Sequence, residues 1–87
     1  MDIISLLGQI LADKSGSRLI HAKGLIRLAL SDAGKANANL EVKQMIPILN
    51  NQVKQRLANV KLGDPNNLVK HLTTELVKKQ SLLTMSA

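Results

Sequence analysis

The sequence predicts an all-α protein, a small four-helix bundle that pairs as a homodimer. Apolar residues recur at three- and four-residue spacing in four stretches, and no stretch shows sustained strand alternation. Capping residues, glycines and one proline separate those stretches at the spacing helix ends require.

The first helix is expected over roughly residues 2–12. Ile3, Leu6, Leu7, Ile10 and Leu11 fall at i, i+3, i+4, i+7 and i+8, which is one stripe of an amphipathic helix. The run Asp13-Lys14-Ser15-Gly16-Ser17 ends it, with Ser17 or Ser15 placed to cap the next helix. That second helix reads from about Arg18 to Ala33, and Gly34 stands where a left-handed residue closes a helix. Leu19, Ala22, Ile26, Ala29, Leu30 and Ala33 make a tight stripe, while Ile20, Leu25 and Leu28 add apolar surface elsewhere. A helix this apolar all round is expected to be buried on more than one side, at the centre of the bundle or at a dimer interface.

Residues 35–38 read as a loop, with Asn39 capping a third helix and Glu41 in its first turn. Pro47 interrupts this helix. Its ring displaces the Lys43 carbonyl and removes one hydrogen bond, so a kink or a fresh start is expected there. The stripe is Ile46, Leu49, Val53, Leu57 and Val60, and Gly63 closes it. Asp64-Pro65 then pairs a capping carboxylate with a proline at the first helical position, where a missing N–H costs nothing. The fourth helix follows to about Leu83 on Val69, Leu72, Leu76 and Leu83, with residues 84–87 as a frayed tail.

The 87 residues make one domain, 1–87, whose core must come from aliphatic side chains because Phe, Tyr and Trp are all absent. Small aliphatic-only bundles often offset that deficit by oligomerising, which is the reason for expecting a dimer. No apolar run approaches the ~20 residues a membrane span needs. Asp2 stands where a signal peptide would carry positive charge, so a cytoplasmic protein is expected.

Catalysis and metal binding find no support in the residues. Cysteine is absent, and the two histidines, His21 and His71, lie fifty residues apart with the acids gathered mainly at helix ends. Neither a nucleophile elbow nor a phosphate loop is present. His21-Ala22-Lys23-Gly24 is similar to the His-x-x-Lys-Gly motif of histidine phosphotransfer domains over four residues. Lysine and glycine arrive one position early here, which turns the lysine about 100° from the place that supports a phosphorylated imidazole. No enzyme, cofactor or metal is expected.

Positive charge is the remaining signal. Twelve Lys and Arg against six Asp and Glu give a formal net charge of +6, which favours anionic partners. On a straight third helix Lys43, Lys54 and Lys61 share one azimuth within about 20° and form a row roughly 27 Å long. Lys23 and Arg27 form a shorter row on the second helix, as do Lys70 and Lys78 on the fourth. With Arg56 added, Lys43, Lys54, Lys61, Lys23 and Arg27 are the candidate nucleic-acid-binding residues. Without aromatic side chains the chain has no platform for stacking single-stranded bases, so duplex phosphates are the expected target. The alternative is a protein-interaction module: an adaptor, an inhibitor or an immunity-type regulator working through an apolar helix face. The likeness to bacteriocin immunity proteins is one of size, charge and helicity, with no shared motif.

Overall fold

The computed structural model describes residues 2–35, 40–61 and 63–80. Among them every regular element is helical, in four runs. The first is α1 (Ile3–Ser15) and the second α2 (Leu19–Asp32). The third is continuous and composite: α3 (Val42–Ile48), a π-helical turn (Leu49–Val53) and α4 (Lys54–Val60). The last run is α5 (Pro65–Lys78). A radius of gyration of 11.6 Å compares with about 12 Å for a compact chain of this length.

Helix ends follow local chemistry. Asp2 caps α1, its Oδ1 accepting from the Ser5 N–H at 2.8 Å, and that bond holds its carboxyl below the ordinary carboxylate value. The helix runs one turn past residue 12 and stops at Gly16, which takes φ 73° and donates its N–H to the Ala12 carbonyl. Neither serine caps α2. Ser15 Oγ donates back to the Leu11 carbonyl at 2.7 Å and meets Ser17 Oγ, and Arg18 holds the N-cap position without a side-chain bond.

At the far end of α2, Gly34 takes φ 71°. The Lys35 N–H reaches the Leu30 carbonyl at 2.8 Å and the Gly34 N–H reaches that of Ser31 at 3.0 Å, the paired bonds of a Schellman closure. Asp64 caps α5 through the Asn66 N–H at 3.0 Å, with Pro65 at the first helical position. Glu41 precedes α3 rather than lying in its first turn, and its N–H donates to Gln44 Oε1 at 2.9 Å. The expected cap Asn39, most of the 35–38 loop, Leu83 and the 84–87 tail lie outside the described residues.

Pro47 does not end the third run; a π turn follows it instead. Two asparagines bond back to carbonyls of the preceding turn: Asn50 Nδ2 donates to the Ile46 carbonyl and Asn51 Nδ2 to that of Pro47, both at 2.9 Å. The turn also moves the buried face. Met45, Leu49, Val53 and Leu57 are all fully buried at four-residue spacing. In a straight α-helix that spacing drifts about 120° from Met45 to Leu57. A wider i→i+5 turn in the middle takes up most of the drift. The expected stripe is corrected accordingly: Ile46 is half-buried, Val60 is exposed, and Met45 and Ile48 point inward.

The core joins α1 (Leu6, Leu7, Ile10, Leu11), α2 (Ala22, Leu25, Ile26, Ala29, Leu30), the composite run and α5 (Leu68, Val69, Leu72, Leu76). The α1 helix packs most extensively on α2 and also on α5, while the composite run packs on α2 and α5. Leu19, expected in the α2 stripe, is exposed, and so are Ile20 and Leu28. One side of α2 therefore faces outward, and the helix is not central.

At Gly8 the first two helices come very close. A Cβ there would collide with Lys23 Cγ and lie 3.3 Å from Lys23 Cα. Gly8→Ala is expected to force α1 and α2 apart. After allowing for the better helix propensity of alanine, a loss of about 1–2 kcal/mol should appear in urea unfolding. Lys61, with φ 54°, is the one described non-glycine residue in the left-handed region. Lys61→Gly should raise stability by up to about 1 kcal/mol in the same measurement.

Candidate nucleic-acid interface

The exposed face of α5 follows from its core stripe. With Leu68, Val69, Leu72 and Leu76 turned inward, Asn66, Lys70 and Thr74 repeat every four residues along an exposed flank. Thr73 sits between flank and core. Where this flank meets the composite run, Asn50, Lys54, Asn66, Val69, Lys70, Thr73 and Thr74 line an open groove of about 250 Å³. Neither Lys54 nor Lys70 makes an ion pair among the described residues. Thr73 Oγ1 is buried and has no hydrogen-bond partner, an arrangement that costs stability unless something fills it.

Across the α5 ridge, Lys14, Asn67, Lys70, His71, Thr74, Glu75 and Lys78 border a second groove of about 400 Å³. Lys70 lines both. Glu75 is the acid of this side, and it is engaged by Lys79 at 3.2 Å and Lys78 at 4.0 Å. Hydrogen bonding to Lys79 holds its carboxyl below the ordinary value, with the charges of Lys79, Lys78 and His71 adding to the effect. The surface can therefore offer ammonium groups, amide donors and hydroxyls to an anion of extended form.

The six cations singled out in the sequence do not gather on one surface. The straight row of Lys43, Lys54 and Lys61 is not kept, because the π turn separates Lys43 from Lys54 and the helix ends at Val60 before Lys61. Lys43 lies 3.6 Å from Glu41. Arg56 is spent on Asp32: its Nε donates to Oδ2 at 2.7 Å and its Nη2 to Oδ1 at 2.8 Å, tying α4 to the end of α2. Lys23 is half-buried with its stem against Gly8, and Arg27 is exposed on α2 with no ion pair among the described residues. Of the six, only Lys54 reaches the groove. Asn50 lines it too but donates to its own helix. Lys70 and Thr73 complete the site. Lys70 was legible as a cation beside the α5 stripe, whereas the orphan hydroxyl of Thr73 needs the packed neighbour to be seen.

Among the described residues no group of three or more His, Cys, Asp or Glu could hold a metal ion, and no helix is long and apolar enough to cross a membrane. No protein-family model matches the chain, and no significant similarity to a curated protein or a solved structure was found.

The Arg56 hydrogen bonds hold the Asp32 carboxyl below its ordinary value of 3.8, against an opposing effect of desolvation, and the guanidinium charge adds to the lowering. A depressed carboxylate stabilises the fold above its ordinary value, and the contribution is lost as pH falls through the lower folded value. Asp32→Asn should be less stable than the parent at about pH 5 and above. The gap, read by urea unfolding, should close on acidification below about 3.8. A gap that stays constant would mean that the ion pair contributes nothing.

Proposed function

We propose that the protein is a non-enzymatic module that binds duplex nucleic acid by its phosphates, through the α5 face and the groove beside it. In this reading the four runs form a four-helix bundle working in the cytoplasm. One observation carries the proposal: Lys54 and Lys70, free of acid partners, converge with Asn66, Thr74 and the unpartnered Thr73 hydroxyl along one groove. Lysine, amide and hydroxyl donors are the groups that fix a protein on phosphate oxygens without reading sequence. Lys14 and Lys78, bordering the second groove, extend the positive surface over the α5 ridge.

The missing aromatics narrow the partner further. Single-strand binders hold bases against Phe, Tyr or Trp, and this chain has none. A duplex presents a regular array of phosphates that a convex helical ridge can follow. Such binding is driven by counterion release and weakens steeply with salt.

Anisotropy titrations of the protein into random-sequence DNA and RNA duplexes test this reading. Contact with about five phosphates gives a log–log salt slope near −4 to −5 on DNA. Lys54→Ala combined with Lys70→Ala should reduce the slope by about 2 units, while Lys43→Ala leaves it unchanged. No binding at about 50 mM salt, or a slope that ignores the double substitution, would sink the proposal.

A further inference from the structure

The outward side of α2 carries more apolar surface than any other described face. Ile20 is 72% exposed, and Leu28 and Val60 are each 52% exposed. Together with Ser17, His21, Gly24, Leu25 and Arg56 they line an open groove of about 430 Å³ between α2 and α4. We infer that this face is an isologous interface on which a second copy of the chain docks, with the two α2 helices antiparallel and crossing at Gly24.

Gly24 supports the assignment. Glycine inside a helix costs roughly 0.5–1 kcal/mol relative to alanine, so a mid-helix glycine needs a packing reason. At Gly8 that reason lies within the chain, since Lys23 occupies the space of a Cβ. At Gly24 a Cβ would meet nothing within 4 Å. The residue, half-buried, instead lies between the exposed Ile20 and Leu28, in a row at i, i+4 and i+8. Rows of that spacing are the ridges by which helices interdigitate, and a residue without a side chain lets two axes approach.

The row is self-complementary. A two-fold at Gly24 maps position 20 onto position 28, so Ile20 of each copy meets Leu28 of the other, as an isologous contact requires. The ends of α2 match as well. Arg18 lies about 9 Å before Gly24 and Asp32 about 12 Å after it. Both project to the same side of the row, within about 40° of one another. Reversing one helix therefore sets each Arg18 beside the partner copy's Asp32. That carboxylate accepts two bonds from Arg56 and has lone pairs left for another donor. Opposite charges at the two ends of one helix favour a second antiparallel copy over a uniformly acidic partner.

Cysteine is absent from the sequence, so Gly24→Cys introduces a single thiol at the crossing point. Under mild oxidation it should form a covalent dimer, because facing residues at a close helix crossing come within disulfide reach. Thr74→Cys on α5, away from the interface, should give no covalent dimer under the same oxidation. Sedimentation equilibrium of the unmodified chain should give twice its mass, and the association should survive about 0.5 M salt, where long-range repulsion is screened. Ile20→Lys with Leu28→Lys, both at exposed positions, should give a monomer with unchanged helical circular dichroism. Gly24→Leu should weaken association at least tenfold, and Arg18→Glu severalfold. A monomeric parent chain, or a dimer indifferent to the paired lysines and to Gly24→Leu, would overturn the inference. Equal crosslinking of Gly24→Cys and Thr74→Cys would do so as well.

Discussion

A core made only of Leu, Ile, Val, Met and Ala offers no polar handle, and none of the described buried residues is polar or charged. Each helix must therefore turn one aliphatic stripe inward and leave every ionisable group outside. With no aromatic ring to fill space from a distance, the helices have to approach closely. The α1–α2 contact at Gly8 shows the cost of that closeness: a single added methyl collides with Lys23. The lysine in turn lays its stem over the contact, an ordinary use of a long cationic side chain on an apolar boundary. That leaves Lys23 half-buried, a poor candidate for contact with an extended partner.

The same demand for a continuous aliphatic face explains the third helical run. A four-residue repeat of large side chains cannot stay on one side of a straight α-helix. Pro47 removes one backbone donor, and the π turn beyond it brings Leu49, Val53 and Leu57 back into line with Met45. Asn50 and Asn51 donate to the carbonyls behind the turn. Packing thus sets the register of the whole run, and the register sets where the lysines emerge. Lys54 comes out over α5, and Lys43 goes elsewhere.

Punctuation was legible in the sequence wherever a single residue carries the physics. Gly34 supplies the left-handed closure of α2, and Asp64-Pro65 opens α5. Leu6, Leu7, Ile10 and Leu11 of α1 and Val69, Leu72 and Leu76 of α5 were legible too, because a three- and four-residue repeat admits one buried side, whereas buried Leu68 was not in the stripe as read. The third helix was misread in its stripe and in its cation row because a 100° rule assumes a uniform helix, and only the packed neighbours decide where a π turn goes. The ion pair of Arg56 was not legible, for a related reason. Its partner Asp32 is 24 residues away on another helix, so the neutralising contact has no local signature. The role of Ile20, Gly24 and Leu28 was half visible: the apolar excess of α2 pointed to burial on more than one side, and the fold leaves that excess facing outward.

The apolar face and the cationic face stand on different helices that share no extensive contact, since α2 and α5 each pack on α1 and on the composite run rather than on one another. Self-association through α2 thus leaves the α5 groove of each copy open. Under the proposed function and the inferred dimer, two grooves related by a two-fold would match a duplex backbone, which is itself two-fold symmetric in its phosphates. Once one groove engages, the second binds at a high effective concentration set by the rigid pair rather than by diffusion. Weak individual contacts, each worth little at physiological salt, then add on a single ligand. On the proposed reading, a small aliphatic domain with few strong contacts per copy would gain affinity by this route without an aromatic anchor or a sequence-reading helix.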